Sequence, residues 1–300
     1  MQRTQLRTRI GFVGLGAMGA PLAGRLLYRN KVFGTNRTKC KANALIAEGL
    51  IWRDTPRAVA ANAEVVFSMV TDDDALAAVT AGPDGILAGL RPGALYIDMS
   101  TVSPSVSREL AKQVCSRGAT MIDAPVSGGV SAAESGTLSI MVGGTEAGYR
   151  AAEALLLRLG STVTHVGANG QGLLLGLAIN VSLAAQLLAF NEGVLLAECG
   201  GIDPVLAARA LGAPMPGDDA PVLLDVPGRA RVPARAREPG WAALDAVHMH
   251  KDIRLALEAA RESGVTLPVA AAVDSALSRV ANAGYGHGGE TRLYNGLATA

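Results

Sequence analysis

Gly11-Phe12-Val13-Gly14-Leu15-Gly16-Ala17-Met18-Gly19 decides the fold, because it carries an apolar run at 10–15 through a glycine-spaced turn into an Ala/Leu-rich segment at 21–28. The run reads as a strand and the segment as a helix. The G-x-G-x-x-G of Gly14, Gly16 and Gly19 therefore stands where that spacing has a mechanism. The first glycine permits a tight turn, the second lets backbone approach a pyrophosphate, and the third lets helix and strand pack closely. Unpaired N–H groups at the helix start face the anion. Gly14, Leu15, Gly16, Ala17, Met18 and Gly19 are the expected cradle of a dinucleotide.

About 20 residues beyond Gly16, an NAD site would end its second strand on an acidic residue that holds the ribose hydroxyls. This chain has Asn36-Arg37-Thr38 there. A guanidinium fork and a hydroxyl suit a 2′-phosphate, which a carboxylate would repel. NADP(H) is the expected cofactor.

Outward from this turn, short apolar runs at 31–35, 65–70, 94–99, 121–124, 139–142 and 162–165 read as further strands, with an amphipathic helix at 146–159. Strands alternating with helical stretches give βαβ units and a parallel sheet. Past 172 the strand signal stops, and 173–199, 242–263 and 268–283 read as helices. The expected class is α/β, a Rossmann-type sheet domain at 1–165 followed by an all-α domain at 166–300. Residues 213–240 hold six of the 14 prolines and are expected to form a long irregular loop.

The 300 residues suffice for two domains. A hydrophobic fraction of 49% with only 4% aromatics suits helices and buried parallel strands. With net charge +1 and no basic stripe interleaved with aromatics, nucleic-acid binding is excluded. Cys40, Cys115 and Cys199 lie far apart, which argues against disulfides and points to a reducing cytoplasm. Arg3, Arg7 and Arg9 before an apolar stretch imitate a signal peptide, but the glycines that follow make a poor one. Residues 173–190 carry no ionisable side chain over a length close to a membrane span. Asn180, Ser182 and Gln186 interrupt that run, so a helix buried between domains or subunits is the expectation, and with it a homodimer. His248 and His250 are two apart on a helix and lack a third ligand, so no metal site is expected.

Four blocks in order, the glycine turn, Asp98-Met99-Ser100-Thr101, Asp123-Ala124-Pro125-Val126-Ser127-Gly128-Gly129 continuing to Met141-Val142-Gly143-Gly144, and Lys251-Asp252, resemble the β-hydroxyacid dehydrogenases over almost the whole chain. The resemblance implies that Ser127, Gly128 and Gly129 grip a substrate carboxylate, a task suited to consecutive N–H groups and a hydroxyl. It places Thr101 beside them and in reach of the cofactor, Val70 and Thr71 near the nicotinamide, and Lys251 at the active site and in reach of the cofactor, with Asp252 behind it. The family's interdomain helix carries G-x-G-x-x-x-K-x-x-x-N, with the lysine as general acid and base. Here that stretch begins at Gly170 and Gly172, puts Gly176 in the lysine's place and keeps Asn180.

Reducing a carbonyl leaves an alkoxide to protonate, and a positioned acid contributes ~10²–10⁴ in rate. Reducing an iminium leaves a neutral amine and needs no such acid, and an ammonium would repel the cation. The expected function is an NADP(H)-dependent oxidoreductase moving hydride to or from a small carboxylate-bearing substrate. An imine reductase acting on C=N is the first alternative. Proton transfer by Lys251 or by a water on Asn180 is another, and a catalytically impaired NADP-binding homologue is the last.

Overall fold

The computed structural model describes residues 8–212 and 246–282. The expected loop at 213–240 and the outer ends of two expected helices lie outside them. Tertiary contacts divide the chain into two units, Met1–Gly176 and Leu177–Ala300.

The first unit begins β1 (Arg9–Val13), α1 (Gly19–Leu27), β2 (Lys31–Thr35), α2 (Asn43–Ala47), β3 (Ile51–Trp52), α3 (Pro56–Ala61) and β4 (Val65–Ser68). It continues with α4 (Asp73–Thr80), α5 (Ile86–Gly89), β5 (Leu95–Asp98), α6 (Pro104–Cys115), β6 (Thr120–Asp123) and β7 (Val126–Ser127). Then come α7 (Gly129–Ser135), β8 (Leu138–Gly143), α8 (Glu146–Leu156) and β9 (Gly160–Gly167), before the long α9 (Gln171–Cys199) opens. The strand order is β3-β2-β1-β4-β5-β6-β8-β7, with β9 on β8. The strands from β3 to β6 are parallel; β8 runs antiparallel to β6 and β7.

Strands buried on both faces must be apolar on both. Ile10 and Phe12 of β1 join one cluster with Leu22 and Leu26 of α1, while Val13, Val66 and Tyr96 join the cluster on the opposite face. Phe12 and Phe67 stack with centroids 5.8 Å apart. Local signals start the helices. Thr55 caps α3 by accepting from Ala58 N, Asp72 caps α4 by accepting from Ala75 N, and Thr145 caps α8 by accepting from Gly148 N. Since β1, β2, β4, β5 and β6 all end on the same edge, the turns that follow them are gathered there. In open parallel sheets this edge is where ligands bind.

The second unit holds the rest of α9 with α10 (Pro204–Leu211), α11 (Ala246–Glu262) and α12 (Pro268–Val280). Its core joins Ala184, Leu187 and Leu188 of α9 to Met249, Ile253, Ala270, Val273 and Leu277. Burying each large side chain contributes about 1.5–3 kcal/mol. By length and composition alone α9 could cross a membrane. It places Leu173 in a core of the first unit and Leu187 in the core of the second.

Candidate cofactor and substrate site

The turn after β1 is forced by the protein at two of its three glycines and not at the middle one. Gly14 has φ +95°, and a Cβ there would stand 2.2 Å from Met69 O. A Cβ on Gly19 would stand 1.9 Å from Gly14 O. Around Gly16, among the described residues, nothing lies within 4 Å of such an atom. Leu15, Ala17 and Met18 complete the turn, which Gly14 N closes on Thr35 O at 3.1 Å. The open side at Gly16 fits a pyrophosphate cradle, because there a methyl group would meet only a ligand.

At the end of β2, Asn36 is already engaged. Its Oδ1 accepts from Leu15 N (3.2 Å) and its Nδ2 donates to Thr38 O (3.1 Å), so it braces one turn against the other. Arg37 and Thr38 are exposed. Sequence reading missed Arg53, because β3 is only two residues long. Arg53 N donates to Gly34 O (2.9 Å), its guanidinium lies over the Phe33 ring at 5.0 Å, and Lys39 lies over Trp52 at 5.3 Å. Arg37, Lys39 and Arg53 thus lie at the ends of two paired strands.

Between β4 and β5 sits a buried polar network. Ser68 Oγ and Ser100 Oγ each donate to Asp98 Oδ1 at 2.7 Å, so the Tyr96 hydroxyl is the donor in its 2.7 Å contact with Ser68. Ser100 Oγ in turn accepts from Val70 N at 3.0 Å. Asp98 Oδ2 is buried with no hydrogen-bond partner among the described residues. Burial pushes the Asp98 carboxyl up to about 6, against the pull of the two serines. Burial and the nearby Asp98 charge hold the Tyr96 hydroxyl well above its ordinary range. The network fixes the peptide leading to Thr71, whose hydroxyl donates to Asp72 Oδ2 at 2.9 Å. Asp73, the first residue of α4, accepts from both N and Oγ of Ser103, tying the start of α4 to the turn carrying half-buried Thr101.

After β6 the chain reaches Pro125, then the half-buried Ser127, Gly128 and Gly129. Gly128 has φ +131° and Gly129 φ +70°, backbone conformations that suit glycine and turn the segment into α7. Asp123, ending β6, accepts Gly170 N at Oδ1 (2.7 Å) and Leu173 N at Oδ2 (3.1 Å). Burial raises its carboxyl, and those two backbone bonds oppose the rise. Gly176 follows one helical turn later and is buried. A Cβ there would meet Met141 Cε at 3.4 Å and Pro125 at 3.5 Å, ordinary contact distances. Packing therefore leaves room for a Cβ at 176.

In the helical unit, Asn180 Nδ2 donates to Asp252 Oδ2 at 2.8 Å, and Lys251 Nζ pairs with Asp252 Oδ1 at 2.9 Å. One largely buried carboxylate holds both. Burial raises it, while Lys251, Asn180 and His248 pull the other way. His250 Nε2 lies 2.9 Å from Asp274 Oδ1 and 3.1 Å from Ser278 Oγ, which ties α11 to α12.

Residues 9–167 match a family described as the NAD binding domain of 6-phosphogluconate dehydrogenase, and 170–297 one described as NAD-binding of NADP-dependent 3-hydroxyisobutyrate dehydrogenase. The 2-hydroxy-3-oxopropionate reductase of Escherichia coli K12 is 35% identical over 260 residues, covering 87% of each chain. The chain belongs to the β-hydroxyacid dehydrogenase family. Like its relatives, this β-hydroxyacid dehydrogenase is an NAD(P)-dependent oxidoreductase that acts on a small molecule. The Mycobacterium tuberculosis 3-hydroxyisobutyrate dehydrogenase, solved with L-serine, superposes with TM-score 0.82 at 29% identity over 97% of this chain and 99% of that one. An imine reductase from Pseudomonas sp., at 18% identity and TM-score 0.59, covers 97% of this chain and 99% of its own and shares the fold.

Proposed function

We propose that this β-hydroxyacid dehydrogenase uses NADP(H) to reduce or oxidise a small carboxylate-bearing substrate. The preference for the phosphorylated cofactor rests on the end of β2, where Asn36 is occupied as a brace and Arg37 and Thr38 stand exposed. A planar guanidinium matches phosphate oxygens, and no carboxylate ends the strand to repel them. When bound, the nicotinamide supplies or accepts the hydride. The chain's part is to hold and orient. The Gly14–Gly19 turn takes the diphosphate, the Val70–Thr71 peptide and Thr101 lie on the nicotinamide side, and Ser127 with Gly128 and Gly129 takes the carboxylate.

The observation that carries the reading is the open face at Gly16, since a glycine the protein does not itself need is one a ligand needs. A second reading, hydride transfer to C=N, is favoured by Gly176. That position has room for a Cβ, yet it presents neither proton donor nor charge to repel an iminium. NADPH and NADH oxidation should be followed with semialdehydes, 2-oxoacids and cyclic imines in the parent and in Gly176→Lys. Carboxylate turnover with NADPH by the parent supports the first reading. Imine turnover alone, with carbonyl reduction appearing only in Gly176→Lys, establishes the second. NADPH binding without any turnover leaves an impaired homologue.

The exposed Leu174, Leu175 and Ile179 of α9, with Leu196, Leu206 and Leu211 beyond, support a homodimer in which a second copy covers them. Free, exposed Cys40, Cys115 and Cys199 support a reducing, cytoplasmic setting.

A further inference from the structure

We infer that Asp123 is a positioning residue that sets where position 176 of α9 stands against the substrate loop, and so governs turnover without touching substrate or cofactor. The inference rests on the reading above, in which Ser127, Gly128 and Gly129 hold the substrate. Helix starts are ordinarily capped from within a few residues. Here the donors Gly170 N and Leu173 N reach a carboxylate 47 and 50 residues earlier in the chain, one to each oxygen. The local side chains serve other partners, Asn169 the Asp123 carboxylate among them. Gln171 Oε1 accepts from Ala168 N at 2.9 Å, and Asn169 Nδ2 donates to Met121 O at 3.0 Å.

The backbone makes room for this clasp. A Cβ on Gly143 would stand 2.5 Å from Asp123 Oδ2 and 2.7 Å from Oδ1. One on Gly172 would stand 2.6 Å from Met141 O, 2.7 Å from Gly143 N and 2.9 Å from Asp123 Oδ2. Gly172 thus belongs to the same device, which presses the first turn of α9 onto the backbone of β8. From the clasp the chain runs both ways to the chemistry. Pro125 and Ser127 lie two and four residues beyond Asp123, and Gly176 lies three beyond Leu173 and against Pro125.

A neutral cap would spare the burial of a charge. A carboxylate offers one acceptor oxygen to each N–H group, and bonds to an ionised acceptor are stronger than neutral ones, which suits placement to a fraction of an ångström. Asparagine at 123 can accept only one of the two N–H groups and turns a donor toward the other.

The test compares the parent with Asp123→Asn, Asp123→Ala and Gly172→Ala, the last keeping the carboxylate's charge while its methyl group pushes the helix off β8 and off Asp123 Oδ2. The expected result is a fall in kcat of about 10- to 100-fold, graded parent above Asn above Ala. NADPH affinity should stay within about twofold and the thermal transition cooperative, with Gly172→Ala reproducing the split. If Asp123→Asn turns over as the parent does, the inference is overturned. It is likewise overturned if kcat and NADPH affinity fall together in proportion to the folded fraction. Absence of turnover in the parent sinks the functional reading itself, and this inference with it.

Discussion

Asp98 carries a charge in surroundings that poorly repay it, since three donors crowd Oδ1 and none reaches Oδ2. Its folded-state carboxyl, at about 6, lies above the ordinary 3.8. Its contribution to stability is therefore complete below about pH 4 and is lost as pH rises through about 6, a change on the order of 3 kcal/mol. Asp98→Asn keeps an acceptor toward the serines and does not titrate. Urea unfolding should show the variant gaining on the parent between pH 4 and pH 7, and a constant offset across that range would refute this account. For Arg37→Ala, a fluorescence titration should show NADPH affinity falling about 10- to 100-fold with NADH unchanged within about twofold. Equal losses for both cofactors would remove the 2′-phosphate assignment. The spacing of Gly14, Gly16 and Gly19 was legible because it encodes a local turn. The bracing roles of Asp98 and Asp123 were not, since Ser68 lies 30 residues from Asp98, and Gly170 and Leu173 at the start of α9 lie 47 and 50 residues from Asp123. Asn36 was read as a cofactor contact, and the structure gives it two internal hydrogen bonds that the sequence could not reveal.

The glycine turn separates fold from binding within one motif. Gly16→Ala adds a methyl group to open space, so its melting temperature should match the parent while NADPH affinity drops at least about tenfold. Gly19→Ala drives a methyl into Gly14 O and should cost about 1–3 kcal/mol of stability besides. Differential scanning fluorimetry with and without NADPH distinguishes the two. Equal destabilisation by both substitutions would show that Gly16 is structural after all. Strands β1, β2, β4, β5, β6, β8 and β9 and the helices α8, α9 and α12 were readable, because buried parallel strands are continuous apolar runs and helices carry a 3.6-residue period. The two-residue β3 and β7 were not, since two residues have no period. The short α10 passed unseen for a related reason, although Asp203 caps it and Pro204 opens it.

For the assembled protein the exposed α9 and α10 leucines give the clearest expectation. Leu196 is 77% and Leu206 62% exposed. Light scattering at micromolar concentration should report twice the chain mass, and Leu196→Asp with Leu206→Asp should shift it toward the single chain. A parent that is already a single chain would dispose of the dimer. The two-lobed plan was legible from the switch between strand and helix patterns. The contact division after Gly176 falls inside α9, where no punctuation in composition marks it.

Because α9 starts at a clasp in the first unit and goes on to supply core side chains to the second, its costly nucleation is settled before its distal turns find partners. The chain has no clean place to be severed near 176. A fragment that starts there should begin with a frayed helix, and loosening of the sheet lobe should register as faster amide exchange well along α9.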